Sequence, residues 1–158
     1  MVGRHFRSIG RRRALVTGPP RDSLRRKAAL LVLLMKQPKS AWRSAIRRVG
    51  ESRTSDAVVF ACDLILRDRS IDAYFAGNDL LAVQVLFELQ RAGIRVPEDV
   101  AICGFDGIGW GQMINPRLTT LKQPLELIAS TALDIISNPG AERREAILPV
   151  EFLRGQTT

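Results

Sequence analysis

Short apolar runs that end in small or polar residues alternate along this chain with longer stretches whose apolar positions recur at helical spacing. The first run, "RALVTG" (Arg13 to Gly18), stops at Gly18-Pro19-Pro20 and predicts a strand entering a tight turn. Asp22 or Ser23 is placed to cap a helix running to about Lys36, before Pro38. "SAIRRVGE" (Ser44 to Glu51) predicts a short strand, and Thr54 or Ser55 caps a helix to about Arg69 with apolar residues at 58, 61, 62, 65 and 66. "DAYFAGN" (Asp72 to Asn78) predicts a strand. Asp79 then caps a helix over Leu80 to Ala92, which Gly93 stops. "DVAICGFD" (Asp99 to Asp106) is the next strand, introduced by the turn at Pro97. The glycine-rich loop "GIGWGQMINPR" leads to an extended "LTTLKQP" (Leu118 to Pro124), an amphipathic helix over Leu125 to Ser137 and a last strand, "AILPVEFL" (Ala146 to Leu153).

Buried strands alternating with helices imply an α/β fold, a parallel sheet with helices on both faces. In open sheets of this kind ligands sit beyond the carboxyl ends of the strands. Asn78 ends one predicted strand and Asp106 another, so both are candidates for one polar rim. The alternative is local: Asn and Asp favour strand-to-helix turns because their side chains bond nearby backbone. The helix after Asn78 carries two apolar stripes. Leu81, Val85 and Leu89, with Ala82 and Leu86, are expected to face the sheet, and Leu80, Val83 and Phe87 lie on a second side. A helix apolar on two sides is covered twice, by another layer of the chain or by another subunit.

The 158 residues suit one domain, and 46% hydrophobic residues are enough to bury a core. Charge is unevenly spread. Residues 1–53 hold 15 Lys/Arg against Asp22 and Glu51, a net +13, and residues 54–158 hold 9 against 14 acids, a net −5, which together make the +8 of the whole. A basic front attracts phosphate. These Arg residues, however, alternate with apolar ones at helical spacing and form no aromatic-studded groove of the kind that stacks bases, so solvated helix faces are the simpler account. Cys62 and Cys103 lie in apolar runs as small buried hydrophobes. With His5 as the one histidine and no Cys-x-x-Cys, neither a disulfide nor a metal site is expected. The longest apolar run, "AALLVLLM", is far short of the ~18–20 residues that cross a bilayer. The start "MVGRHFRSIGRRR" is not that of a signal peptide. A cytoplasmic, cofactor-free protein is expected. No nucleophile–base pair or phosphate loop is present, and "GFDGIGWG" does not match the dinucleotide fingerprint, so an enzyme is not expected.

"DAYFAGNDLLAVQVLFELQRAGIRVPEDVAICGFDG", followed by "INPRLTTLKQP", resembles the effector-binding core of the lactose-repressor/galactose-repressor (LacI/GalR) regulators, and the likeness runs from "HFRSIGRRRALVTGPP" to "LPVEFLRGQTT". The resemblance implies a type I periplasmic-binding-protein-like fold in which two subdomains close on a sugar, a sugar phosphate or a purine. It further implies a dimer that grips DNA through an N-terminal helix-turn-helix. It places Asn78 of "GND" and Asp106 of "GFD" on effector-binding positions, with Ser23 and Lys27 on the helix after "VTGPP". Given a dimer, the second stripe of the helix after Asn78, Leu80, Val83 and Phe87, is the candidate dimer face. Lys27 departs from the family pattern, which commonly has Arg there, and a Lys lacks the planar fork of Arg. Ser52 and Leu125 stand where aromatics are frequent.

The likeness begins at Met1, about where the family's second subdomain begins. Residues 5–123 and 146–158 are therefore expected to form that C-terminal subdomain, with most of the first subdomain and the helix-turn-helix missing, as from a truncated, split or mis-started gene. The helix in 124–145 is expected to pack, in the family, on the first subdomain, leaving Leu127, Ile128, Leu133, Ile135 and Ile136 exposed or folded back on the sheet. Any DNA contact would need the missing element. The competing expectation is a stand-alone sugar-binding or dimerisation module that pairs with itself or with family members.

Overall fold

A computed structural model describes residues 1–18, 29–34, 46–48, 54–137 and 146–158, with side chains over 1–17, 57–137 and 146–158. The strands and helices run in the order α1 (Val2–Ser8), β1 (Arg13–Gly18), β2 (Ala29–Leu34), β3 (Ile46–Arg48), α2 (Thr54–Arg67), β4 (Ala73–Ala76), α3 (Asp79–Arg91), β5 (Ala101–Asp106), β6 (Thr119–Lys122), α4 (Leu125–Ser137) and β7 (Glu151–Leu153). They build one sheet in the order β3-β2-β1-β4-β5-β6-β7. β1, β4, β5 and β6 are mutually parallel; β2 pairs antiparallel with β1, β3 antiparallel with β2, and β7 antiparallel with β6. The fold is thus the expected α/β class with a mostly parallel sheet.

Strand alternation divides the core between two faces. Leu15, Tyr74, Ala76 and Ile102 point to the side covered by α2 and α3, where Val58, Ala61, Ile65, Leu81, Val85, Leu86 and Leu89 close over them. Ala14, Ala73, Ala101 and Cys103 point to the other side, where Phe6 of α1 seals a smaller cluster with partial cover from Phe75 and Phe152. On the larger face Thr17 Oγ1 and Tyr74 OH satisfy each other at 2.6 Å, and burial pushes the Tyr74 pKa upward. Both cysteines are free and buried, and burial raises the Cys62 thiol to about 11 and the Cys103 thiol to about 12.

The front Arg residues have local work. The Asp72 carboxylate accepts the main-chain N–H groups of Arg12 and Arg13 at 2.8–3.0 Å, and Arg13 pairs with Asp68 at 2.8 Å. Arg11 donates to the carbonyls of Pro97 and Glu98. The final residues are built into the sheet as firmly as a strand. Thr157 Oγ1 donates to the Ile102 carbonyl at 2.7 Å and accepts the Thr119 N–H at 2.9 Å, while Thr158 Oγ1 meets both Thr119 and His5.

Three expectations are corrected. The helix predicted from Asp22 or Ser23 to about Lys36 does not account for residues 29–34, which form β2 and pair antiparallel with all of β1, from Arg13 opposite Leu34 to Gly18 opposite Ala29. A short, uninterrupted apolar run suits a buried strand as well as a buried helix, and periodicity cannot separate the two. The final strand is confined to Glu151–Leu153, because Leu148-Pro149 precedes it and Pro removes a ladder donor. The third correction concerns Asp79 and is given below. The stripe on α4 is exposed as anticipated: no residue of that helix is buried, and Leu133 and Ile136 are 64% and 73% exposed.

Thr157→Val keeps the shape of a buried side chain and removes two hydrogen bonds, stranding the Ile102 carbonyl and the Thr119 N–H. It should lower unfolding free energy by about 1–3 kcal/mol in a urea titration.

Candidate functional site at the carboxyl ends of the strands

β4 and β5 are parallel neighbours, with Ala73 opposite Ala101 and Phe75 opposite Cys103. Asn78, two residues past β4, and Asp106, the last residue of β5, therefore lie at the same end of the sheet. Asn78 rather than Asp79 is the N-cap of α3: its Oδ1 accepts the Leu81 N–H at 2.7 Å. That bond fixes the amide so that Nδ2 is left as a donor, without a partner among the described residues.

Asp106 has a φ of 120°, a conformation that L side chains rarely adopt. Its Oδ1 accepts a 2.6 Å bond from Gln123 Nε2, and Oδ2 has no hydrogen-bond partner among the described residues. Strain of this kind persists only where surrounding structure enforces it, and it concentrates at functional sites. Here the enforcement is visible. Gly107, at φ 75°, lies against the Lys122 main chain so closely that a Cβ would overlap it, and the Gln123 N–H bonds the Asp106 carbonyl at 3.2 Å.

Asp79, which the sequence marked only as a cap, is wholly buried. Its Oδ1 accepts the Thr120 hydroxyl at 2.5 Å and its Oδ2 accepts the Ile108 N–H at 2.8 Å. Burial pushes its pKa above the ordinary carboxylate range. The bonds from Thr120, Ile108 and Gly107 pull the other way, and the neighbouring charge of Asp106 adds to the rise. The carboxylate occupies the space that a side chain at 104 would need. Gly104 of "CGFDG" is there to admit it.

Leu80 and Phe87, both exposed, and half-buried Val83 line one side of an apolar groove of about 350 Å³, which Ile108, Trp110, Met113 and Ile114 complete. The predicted second stripe of α3 is therefore uncovered here, while its first stripe, from Leu81 to Leu89, is buried. Ser23, Lys27 and Ser52 lie outside the described residues. Gln123 of "LTTLKQP" carries no local signal of this contact beyond its place one residue past β6, the strand beside β5. Among the described residues no group of three His, Cys, Asp or Glu side chains is placed to hold a metal ion, and no helix is long and apolar enough to cross a membrane.

The profile of the periplasmic binding protein-like domain matches residues 4–158. The chain belongs to that family. The probable transcriptional repressor ExuR of Bacillus subtilis is 38% identical over 85 residues, which are 51% of this chain and 26% of the repressor. A LacI family transcriptional regulator from Arthrobacter sp. FB24, solved in complex with lactose, is 29% identical with a TM-score of 0.59 over 68% of this chain and 42% of that one. A LacI family regulator from Enterococcus faecalis V583, solved with bound ribose, superposes over 99% of this chain and 58% of its own length with a TM-score of 0.68, and at 22% identity it speaks for the fold. The part of these proteins that the chain matches is the effector-binding domain of LacI-type regulators. It spans about a quarter of the curated repressor and about half of the solved regulators.

Gly104→Ala should force the Asp79 carboxylate aside and press on Leu118. A loss of about 1–3 kcal/mol in denaturant unfolding is expected, as for other overpacked sites.

Proposed function

We propose that this chain binds a small-molecule effector, a sugar in the first instance, at the rim formed by Asn78 and Asp106. The observation that carries the proposal is that a donor, Asn78 Nδ2, and an acceptor, Asp106 Oδ2, both without a partner among the described residues, stand at the same ends of adjacent parallel strands. A sugar hydroxyl both gives and takes hydrogen bonds, so it suits such a pair. The lactose held by the Arthrobacter relative supports the same ligand class. Sugar phosphates and purines are the alternatives, with Ser23 and Lys27 as further contacts. The role is regulatory rather than enzymatic, in the cytoplasm. The helix α4, Leu125–Ser137, would pack on a first subdomain.

The groove lined by Leu80, Val83 and Phe87 is best read as a contact with a second copy of this chain, or with a family member presenting the same face. Its exposed apolar side chains come from two stretches on one side of the sheet, and a dimer is what the family resemblance implies. Phe87→Glu should then leave only monomer in sedimentation runs at concentrations where the native chain associates; a native chain that is monomeric throughout would remove this reading.

Calorimetric titration with lactose, ribose, sugar phosphates and purines tests the ligand class. For any ligand that binds, Asp106→Ala should weaken affinity by about 10- to 100-fold, the range for one hydrogen bond to a charged group, with a smaller effect on stability. An unchanged isotherm would take Asp106 out of the site.

A further inference from the structure

Two tripeptides lie side by side at the functional end of the sheet, and each has the same order of parts. In the first, Asn78 belongs to the rim, Asp79 is buried and Leu80 lines the groove. In the second, Asp106 belongs to the rim, Gly107 turns the chain at φ 75° and Ile108 lines the groove. One carboxylate joins them: Asp79 accepts the N–H of Ile108 at 2.8 Å, and its other oxygen anchors both to Thr120 of β6.

We infer that Asp79 is a positioning residue that couples the rim to the groove, so that occupancy of either site alters affinity at the other. The biological sense of the coupling rests on the effector reading of the rim. Its physical basis does not. The two tripeptides cannot shift relative to each other without changing both the spacing from Asn78 to Asp106 and the width between Leu80 and Ile108. The Asp79 bonds decide how stiffly the two changes are tied. Because the link is thermodynamic it is reciprocal: a ligand that tightens the groove contact is itself bound more tightly by the associated form, by the same factor.

The test uses the full chain, labelled with nitrogen-15, and reads the side-chain amides of Asn78 and Gln123. Phe87→Ala changes the groove without touching the rim. In the native background it should shift both amides, and in an Asp79→Asn background, which keeps the size and removes the carboxylate, those shifts should fall below half. Equal shifts in the two backgrounds, or none in the native one, would overturn the inference. If Asp79→Asn does not fold, Thr120→Val takes its place, since it frees one oxygen of the latch and leaves the main-chain bonds; undiminished shifts there would be equally fatal. In a second arm lactose is titrated while the Trp110 indole N–H is followed. A rim shift accompanied by an indole shift supports coupling, and a rim shift alone contradicts it. No rim shift at all counts against lactose as a ligand, and the coupling is then decided by the Phe87→Ala arm.

Discussion

A carboxylate removed from water costs several kcal/mol unless hydrogen bonds replace its hydration. At Asp79 that requirement organises the end of the molecule where ligands of this fold class sit. The first residue of α3 must reach β6 for Thr120 and the loop after β5 for the Ile108 N–H, and β5 must pass beneath it with no side chain at 104. Two strands and a helix are thereby held in one relation. Asn78, just before the latch, and Asp106, just before its donors, inherit their positions from it.

The parallel core and the placement of Asn78 and Asp106 at one end of it were legible in the sequence for physical reasons that can be named. Tyr74 and Ile102 alternate with Ala73 and Cys103 because the sheet is covered on both sides, and the two stripes of α3 separate at helical spacing into one buried side and one exposed side. What was not legible depended on contacts distant in sequence. In "GND" either residue can cap a helix, and only the burial of Asp79 against Thr120, 41 residues away, assigns the cap to Asn78. The role of Gln123 likewise requires knowing that β6 lies beside β5. In "ALLVLL" no polar residue interrupts the run, so nothing local distinguishes a helix from the antiparallel strand that extends the sheet beyond β1.

The net charge of the chain is a poor guide to this site. The basic excess lies in the first third of the sequence, and of its Arg side chains Arg11 and Arg13 are spent on carbonyls, Asp68 and Ser70 at the opposite end of the strands from the rim. The rim itself is decided by a neutral amide, a carboxylate and main-chain geometry. α4 differs from the other helices in that no residue of it is buried. A helix of 13 residues without a packed face has little stability of its own, so its order depends on what its neighbours supply.

The backbone at Asp106 also limits how this scaffold can evolve. A φ of 120° is costly for β-branched and bulky residues and cheap only for glycine, so position 106 admits few replacements whatever ligand selection favours. Gln123, by contrast, reaches the Asp106 carboxylate from an ordinary backbone position, so a replacement there meets no such backbone cost.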